Sequence, residues 1–430
     1  MKKFAAIFLS CLLTQIVEAT GLNQTEEYLS HYITTQANSQ LSLLEELVNL
    51  NSGTTNMVGV QKVGEILRHQ FEQLGFKTYW IEEPHSMHRA GTLVAKRIGH
   101  KGKRLLLIGH LDTVFPSDSS FQHFEHHGST ATGPGVIDDK GGDVVILYAL
   151  KALNEAHLLD DATITVVLTG DEEDSGKPTS VSRKPLIDAA QHSDIALDFE
   201  WSFTPDTATI ARRGITNWTV KTQGKEAHSS EIFKHQVGDG AIFELARILN
   251  TMRGTLSREP YLSFNPGVIL GGNTVNNAEN NAQGTASGKT NVIAKTAIVM
   301  GDLRFISQQQ KSNAEKKIIA IVNQHLPNTT ASVIFNDGIP AMPPTEANLQ
   351  LLKKYSSVSN DLGYGIVKIL DPGLRGAGDI SHIASIVSAC LAGLGPVGVG
   401  AHSIKETLDL NSLTMQTQRA ALLMYRLIST

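Results

Sequence analysis

Residues 104–112 read RLLLIGHLD: an arginine, four apolar residues and a glycine, then a histidine and an aspartate one residue apart. The apolar run is too short for a helix, and it is followed by residue types that bind metals or move protons. The pattern recurs twice. TITVVLTG (163–170) runs into Asp171-Glu172-Glu173-Asp174, and DIALDF (194–199) runs into Glu200. Between these runs the apolar spacing is helical, as in VVILYALKALNEA (144–156), and it is helical again from about Glu26 to Gln73. Strands alternating with helices predict an α/β fold whose sheet is mostly parallel and flanked by helices on both faces. Ligands of such sheets bind outside the carboxyl ends of the strands, so the three polar runs are expected to meet along one edge.

The turn PGVIDDKGGD (134–143) opens the helical run and holds two adjacent aspartates. A glycine-rich turn at a helix start usually gathers an anion on its N–H groups. This one carries carboxylates and is read as offering them to cations. Adjacent side chains of an extended segment point to opposite sides, so Asp138 is expected to face the chemistry and Asp139 to serve the structure. Gly141 and Gly142 allow close packing as the helix begins.

Past Arg213 the texture changes. GITNWTVKTQG (214–224) and TAIVMGDLRFI (296–306) alternate like two-faced strands, and DGAIFELARILNTM (239–252) and SNAEKKIIAIVNQHL (312–326) are helical. Two helices on a small sheet make a compact α+β insert running to about Ser332, after which GIPAMPP (338–344) marks the return. The asparagine-rich stretch 273–291 is expected to be a long loop within it.

The chain has 430 residues, 41% of them hydrophobic, enough for two or three domains. A formal charge of −5 without a long Lys/Arg run gives no reason to expect nucleic acid or a membrane surface. A small peptide or N-acyl amino acid is the expected substrate class. Residues 1–19 have a basic start, an apolar stretch and Val17-x-Ala19, the features of a cleaved signal peptide, so a periplasmic or secreted protein with no membrane association after cleavage is expected. Cleavage would leave Cys390 as the only cysteine, which rules out an intramolecular disulfide.

The residues that carry chemistry are His110, Asp112, Asp138, Glu172, Glu173, Glu200 and His402. Imidazoles with carboxylates suit zinc or a neighbouring first-row ion, whereas calcium would take oxygen ligands only. Two imidazoles and three carboxylates can hold two ions if one carboxylate bridges, and a further carboxylate is then available as base. Each piece alone has a plainer reading. His110 could be a satisfied histidine at a strand end, and Glu172-Glu173 a solvated face, although unpaired charge directly after a buried strand is costly. Their joint arrangement favours the metal.

Those residues lie in GHLDTV, GPGVIDDKGG, TGDEEDSG, LDFE, GKEAHSS, DLRF, GAGD and GVGAHSIKET. In order and approximate spacing these motifs resemble the co-catalytic dizinc aminoacylase/carboxypeptidase superfamily, which includes acetylornithine deacetylase and succinyl-diaminopimelate desuccinylase. They are similar above all to the bacterial folate-hydrolysing glutamate carboxypeptidases. The resemblance spans essentially the whole chain after residue 19. It implies a catalytic domain of residues 20–212 and 334–430, with 213–333 as a lid and dimerisation domain. It implies two Zn2+ per chain, one held by His110, Asp138 and Glu200 and one by Asp138, Glu173 and His402, with Asp138 bridging. Asp112 would orient His110, and Glu172 would be the general base for attack by a metal-bridging hydroxide. His228 would reach the partner's site in a homodimer, and Arg304 and Asn291 would hold the substrate carboxylate. A cis Asp138-Asp139 peptide is known in this superfamily and is expected here. The implied activity is release of a C-terminal amino acid, glutamate foremost, from N-acyl, peptide or folate-type substrates. The alternatives are an N-acyl-amino-acid deacylase or dipeptidase of the same superfamily, or a non-catalytic binding protein, which would be expected to have lost ligands. The sequence departs from the pattern at Gly378, where a hydroxyl residue usually precedes the aspartate.

Overall fold

A computed structural model describes residues 21–277 and 283–429; the signal peptide expected at 1–19 lies outside them. The larger sheet takes β1 (Lys77–Ile81), β2 (Thr92–Arg97), β3 (Lys101–His110), β4 (Ala162–Thr169) and β5 (Ile195–Asp198). The insert follows with β6 (Gly214–Gln223), β7 (Ser263–Gly272), β8 (Thr296–Phe305) and β9 (Thr330–Asp337), and β10 (Ala389–Leu391) returns to the larger sheet. The order there is β1-β2-β4-β3-β5-β10. The strands β4, β3, β5 and β10 are mutually parallel, whereas β2 runs antiparallel to both β1 and β4. A connection of ten residues joins β1 to β2, too short for a helical crossover and long enough for an antiparallel return.

The parallel strands are buried on both faces, which is why they read as continuous apolar runs. Leu105 and Leu107 of β3 face one core, with Ile164, Val166 and Leu168 of β4. Leu106 and Ile108 face the other, with Val167 and Ala196. Helices Met57–Gln73, Lys140–Glu155 and Leu410–Ile428 cover the first face, and the short helices Lys184–Ala190 and Asp379–Ile383 contribute to the second. Among the described residues no helix is long and apolar enough to cross a membrane.

Helix Lys140–Glu155 enters the core at its first turn, and its glycines make that possible. A Cβ on Gly142 would lie 2.2 Å from the Phe199 carbonyl oxygen, and one on Gly141 2.4 Å from that of Val136. Backbone atoms cannot move aside, so Gly142→Ala is expected to cost at least about 2 kcal/mol of stability. Urea unfolding measures it, and an unchanged midpoint would contradict the close packing.

Cys390 lies in β10 with its thiol buried, and burial, with Asp198 nearby, pushes it up to about 12. Alkylation needs the thiolate. Iodoacetamide at pH 8 should therefore leave Cys390 unmodified in folded protein and label it in urea; labelling of Cys390 in the folded protein would refute this burial.

The insert sheet runs β7-β8-β6-β9, antiparallel throughout. Helices Gly240–Leu256 and Gln308–Val322 close a separate core around Trp218, Val220, Ile248 and Ile318. Two expectations need correction. The boundary at 333 falls inside β9, which stays paired with β6 to Asp337. The two crossings run side by side, Arg212 bridging Met342 and Ile215 exchanging hydrogen bonds with the 338–339 backbone, so the return lies at 338–342. The asparagine-rich stretch is not a plain loop either. Thr274–Asn277 pairs with Gly284–Ser287 as an antiparallel hairpin, since polar side chains do not prevent backbone pairing.

Candidate metal centre

The carboxyl ends of the parallel strands deliver the expected residues to one edge. His110 is the last residue of β3, Asp171-Glu172-Glu173 begins two residues after β4, and Glu200 stands two residues beyond β5. Asp138 comes from the turn before helix Lys140–Glu155, and its peptide bond to Asp139 is cis. His402 lies in the turn ahead of strand Thr407–Asp409, with left-handed backbone at φ 63°.

Asp138 is the hub. Its Oδ1 lies 3.1 Å from His110 Nε2 and its Oδ2 3.1 Å from His402 Nε2. The same His402 nitrogen is 3.2 Å from Glu173 Oε2. A single Nε2–H serves two carboxylates poorly, whereas a cation among the three atoms would bind them all. Around a tetrahedral ion with bonds of about 2.0–2.1 Å, ligand atoms stand roughly 3.3 Å apart, so these separations fit. Ligand atoms of His110, Asp138 and Glu173 come within 4.8 Å of one another, as do those of His110, Glu172 and Glu200. Glu172 therefore sits among the ligand set. Burial, with Glu200 close by, holds its carboxyl well above the usual range. That is the direction required of a group that takes and gives a proton near neutral pH.

Asp112 is fully buried, with Oδ1 3.4 Å from His110 Nδ1, while its own carbonyl oxygen is 3.1 Å from that nitrogen. It also fixes the other side of the site. The backbone N–H groups of Glu172 and Glu173 donate to its two oxygens at 3.0 and 3.2 Å, and Thr54 Oγ1 donates at 2.6 Å. Asp139 is fully buried and accepts from His110 N at 3.3 Å.

The reading of PGVIDDKGGD needs correction. The N–H groups of the turn are used as well, by the buried carboxyl of Glu406, which burial and the Asp138 charge push up to about 8: Oε2 accepts from Gly135 N at 3.1 Å, and Oε1 from Ile137 N at 2.9 Å and Asp138 N at 3.1 Å. The turn thus directs the Asp138 carboxylate toward the histidines and holds the Glu406 carboxyl on its backbone.

Sequence reasoning missed the buried arginines around this edge. Arg183 donates to Asp171 Oδ1 at 2.5 Å and pairs with Asp379 Oδ1 at 2.6 Å. Asp379 Oδ2 accepts from Thr169 Oγ1 at the end of β4, 2.6 Å away. Arg212 contacts Asp198 at 3.2 Å and Glu200 at 3.1 Å, and donates to the carbonyls of Gly376 and Ala377. That placement explains Gly378: a Cβ there would lie 2.5 Å from the Arg212 guanidinium. Arg375 reaches Glu200 from the other side at 3.3 Å.

A cleft of about 260 Å³ opens over the centre, lined by Asp138, Glu172, Glu200, His402 and the aromatic pair Trp201 and Phe203. Arg304 stands near its rim: a side chain at Gly376 would come within 4.0 Å of Arg304 Nη1, whose Nε is held by Asp302 at 2.8 Å. His228 and Asn291 adjoin each other, Ser229 N donating to Asn291 O at 2.9 Å, but neither lines the cleft.

Comparison with known proteins agrees with this architecture. The sequence model of peptidase family M20/M25/M40 matches residues 106–426. Carboxypeptidase G2 of Pseudomonas sp. (strain RS-16) is 28% identical over 419 residues, covering 95% of this chain and 94% of that protein. Succinyl-diaminopimelate desuccinylase of Ruthia magnifica subsp. Calyptogena magnifica is 23% identical, covering 87% and 96%. Aminopeptidase PepT from Bacillus cereus ATCC 10987 shares the fold with a TM-score of 0.72 at 15% identity, over 91% of this chain and 98% of that one.

Proposed function

The chain belongs to peptidase family M20/M25/M40, and on that footing we propose that it is an exported dizinc carboxypeptidase that releases a C-terminal amino acid, glutamate foremost, from N-acyl, peptide or folate-type substrates. The observation that carries the reading is Asp138, with one carboxylate oxygen against each of two histidines, Glu173 grouped with it and His110, and His110 shared with a second group that holds Glu172 and Glu200. His110, Asp138 and Glu200 would hold one ion and Asp138, Glu173 and His402 the other. Bound there, divalent ions would lower the pKa of water and polarise the amide carbonyl. Glu172 takes the proton of the attacking water and passes it to the departing nitrogen. Asp112 keeps the Glu172 backbone and the His110 ring in place, the supporting role usual for a carboxylate behind a ligand imidazole.

Arg304, at the rim, is assigned a substrate carboxylate, with Asn291 on the same insert as a second polar contact. The likeness to carboxypeptidase G2 favours release of a C-terminal residue, while that to the desuccinylase favours deacylation of an N-acyl amino acid as the second reading. Metal-loaded protein should release glutamate from N-benzoyl-glutamate and folate, contain about two zinc ions per chain, and lose activity on treatment with a chelator. No release from any N-acyl amino acid, with metal bound, would refute the assignment.

Two further parts belong to this reading. The insert exposes Phe233, Ile242, Phe243 and Ile269, on and around helix Gly240–Leu256 and edge strand β7, a surface suited to a second copy, through which His228 would reach the partner's cleft. A monomer in sedimentation at micromolar concentration would remove that part. Export rests on residues 1–19; N-terminal sequencing of protein from its native host should start near Thr20, and an intact Met1 would remove it.

A further inference from the structure

Two guanidiniums touch Glu200, and they are used very differently. Arg212 is occupied on every nitrogen, by Asp198, Glu200 and the carbonyls of Gly376 and Ala377. Arg375 is equally buried, at 4% exposure, yet only its Nη2 finds acceptors among the described residues: Glu200 Oε2 at 3.3 Å and the Trp201 carbonyl at 3.0 Å. Its Nε has no partner. A guanidinium carries five donors in a rigid fork, so most of this one is unspent, and it lines the cleft.

Its surroundings fix it in that pose. The guanidinium carbon lies 5.0 Å from the Trp201 ring centre and 5.3 Å from that of Phe203, and the two rings stack 4.3 Å apart. A cation over aromatic faces is held without using its N–H groups. Arg304 differs: it is about one-third exposed, paired with Asp302, and belongs to the insert.

From this geometry we infer that Arg375 is a specificity-determining residue, its free donors taking the side-chain carboxylate of an acidic residue at the scissile bond while Trp201 and Phe203 wall the pocket. A fixed cation with spare N–H donors suits a carboxylate through charge-assisted hydrogen bonds. A neutral amide in the same place would lose the charge-assisted part of that contact. The assignment rests on the hydrolase reading above and specifies the substrate class of that same cleft.

The test compares N-benzoyl-glutamate with N-benzoyl-glutamine, which share shape and differ in charge, on metal-loaded wild type, Arg375→Lys and Arg375→Met, with metal content measured for each. The expected result is a wild-type preference for the acid that falls at least tenfold in kcat/KM ratio in Arg375→Met, through KM, and by an intermediate amount in Arg375→Lys. Equal losses on both substrates, or a loss that follows metal content, would overturn the inference and leave Arg375 as a support for Glu200. Calorimetric binding of glutarate to metal-loaded protein gives a readout independent of turnover. Tenfold weaker binding in Arg375→Met supports the inference even if neither amide is cleaved, in which case it is the hydrolase reading that fails; equal binding overturns the inference itself.

Discussion

Glu172→Gln is expected to lower kcat by on the order of 10²–10⁴-fold while leaving fold and metal content near those of the wild type. The backbone that aims this side chain is fixed by Asp112, whose Oδ1 accepts from Glu172 N at 3.0 Å, and glutamine does not disturb that bond. Glutamine is close to isosteric, so the cleft keeps its shape. What disappears is the ability to accept a proton, in a group whose burial and whose neighbour Glu200 already raise its affinity for one. An uncatalysed proton step would then limit turnover, and KM should move little because the carboxyl is assigned to the proton and not to substrate binding. Activity within tenfold of wild type, in protein shown to retain its metal, would remove Glu172 from the mechanism.

Arg183→Met should be the most destabilising single change among those considered, by about 3–5 kcal/mol. Arg183 is 1% exposed and lies between two buried carboxylates, Asp171 at 2.5 Å and Asp379 at 2.6 Å. It also donates to the Asp171 carbonyl at 2.9 Å and Ser175 Oγ at 2.7 Å. Methionine fills much of the volume and leaves both carboxylates without their cation. They can escape the penalty only by taking protons, and Asp379 is held below the usual carboxylate range: burial would raise it, but the Arg183 charge, together with His382, the Thr169 hydroxyl and His110, outweighs that. The loss should therefore shrink as pH falls, because protonated carboxyls no longer need the arginine. Urea unfolding followed by circular dichroism across pH reads this out; a loss below about 1 kcal/mol, or one that grows toward acid pH, contradicts the pairing.

The parts of this fold visible in the sequence are those whose signal is local. RLLLIGHLD announces both a buried strand and the polar residues at its end within nine positions, and the same holds after β4 and β5. Gly141 and Gly142 likewise stand beside the turn they serve. The arginines gave no such signal. Arg183, Arg212 and Arg375 lie in loops or at element ends, where composition favours a solvated reading, and each also has an acceptor far away in sequence: Asp379 for Arg183, Gly376 for Arg212 and, 175 positions off, Glu200 for Arg375. Glu406 was hidden for the same reason, although its place four residues after His402 offered a hint. The strand β9 was cut short at 333 because its alternating exposure, polar on one side, fades into the polar return segment without a breaker until Gly338.

The grip of Glu406 on the 135–138 backbone also sets a timetable. Asp138, the hub of the ligand set, is held in its turn by a residue 268 positions downstream, and His402 arrives with the same segment. A chain emerging from the ribosome thus has His110, Asp138, Glu173 and Glu200 available long before the clamp and the last imidazole exist. Until then the ligand set lacks one imidazole and the backbone hold on its hub. Assembly of the complete ligand set is therefore an event of the finished polypeptide, however early its first four members are made.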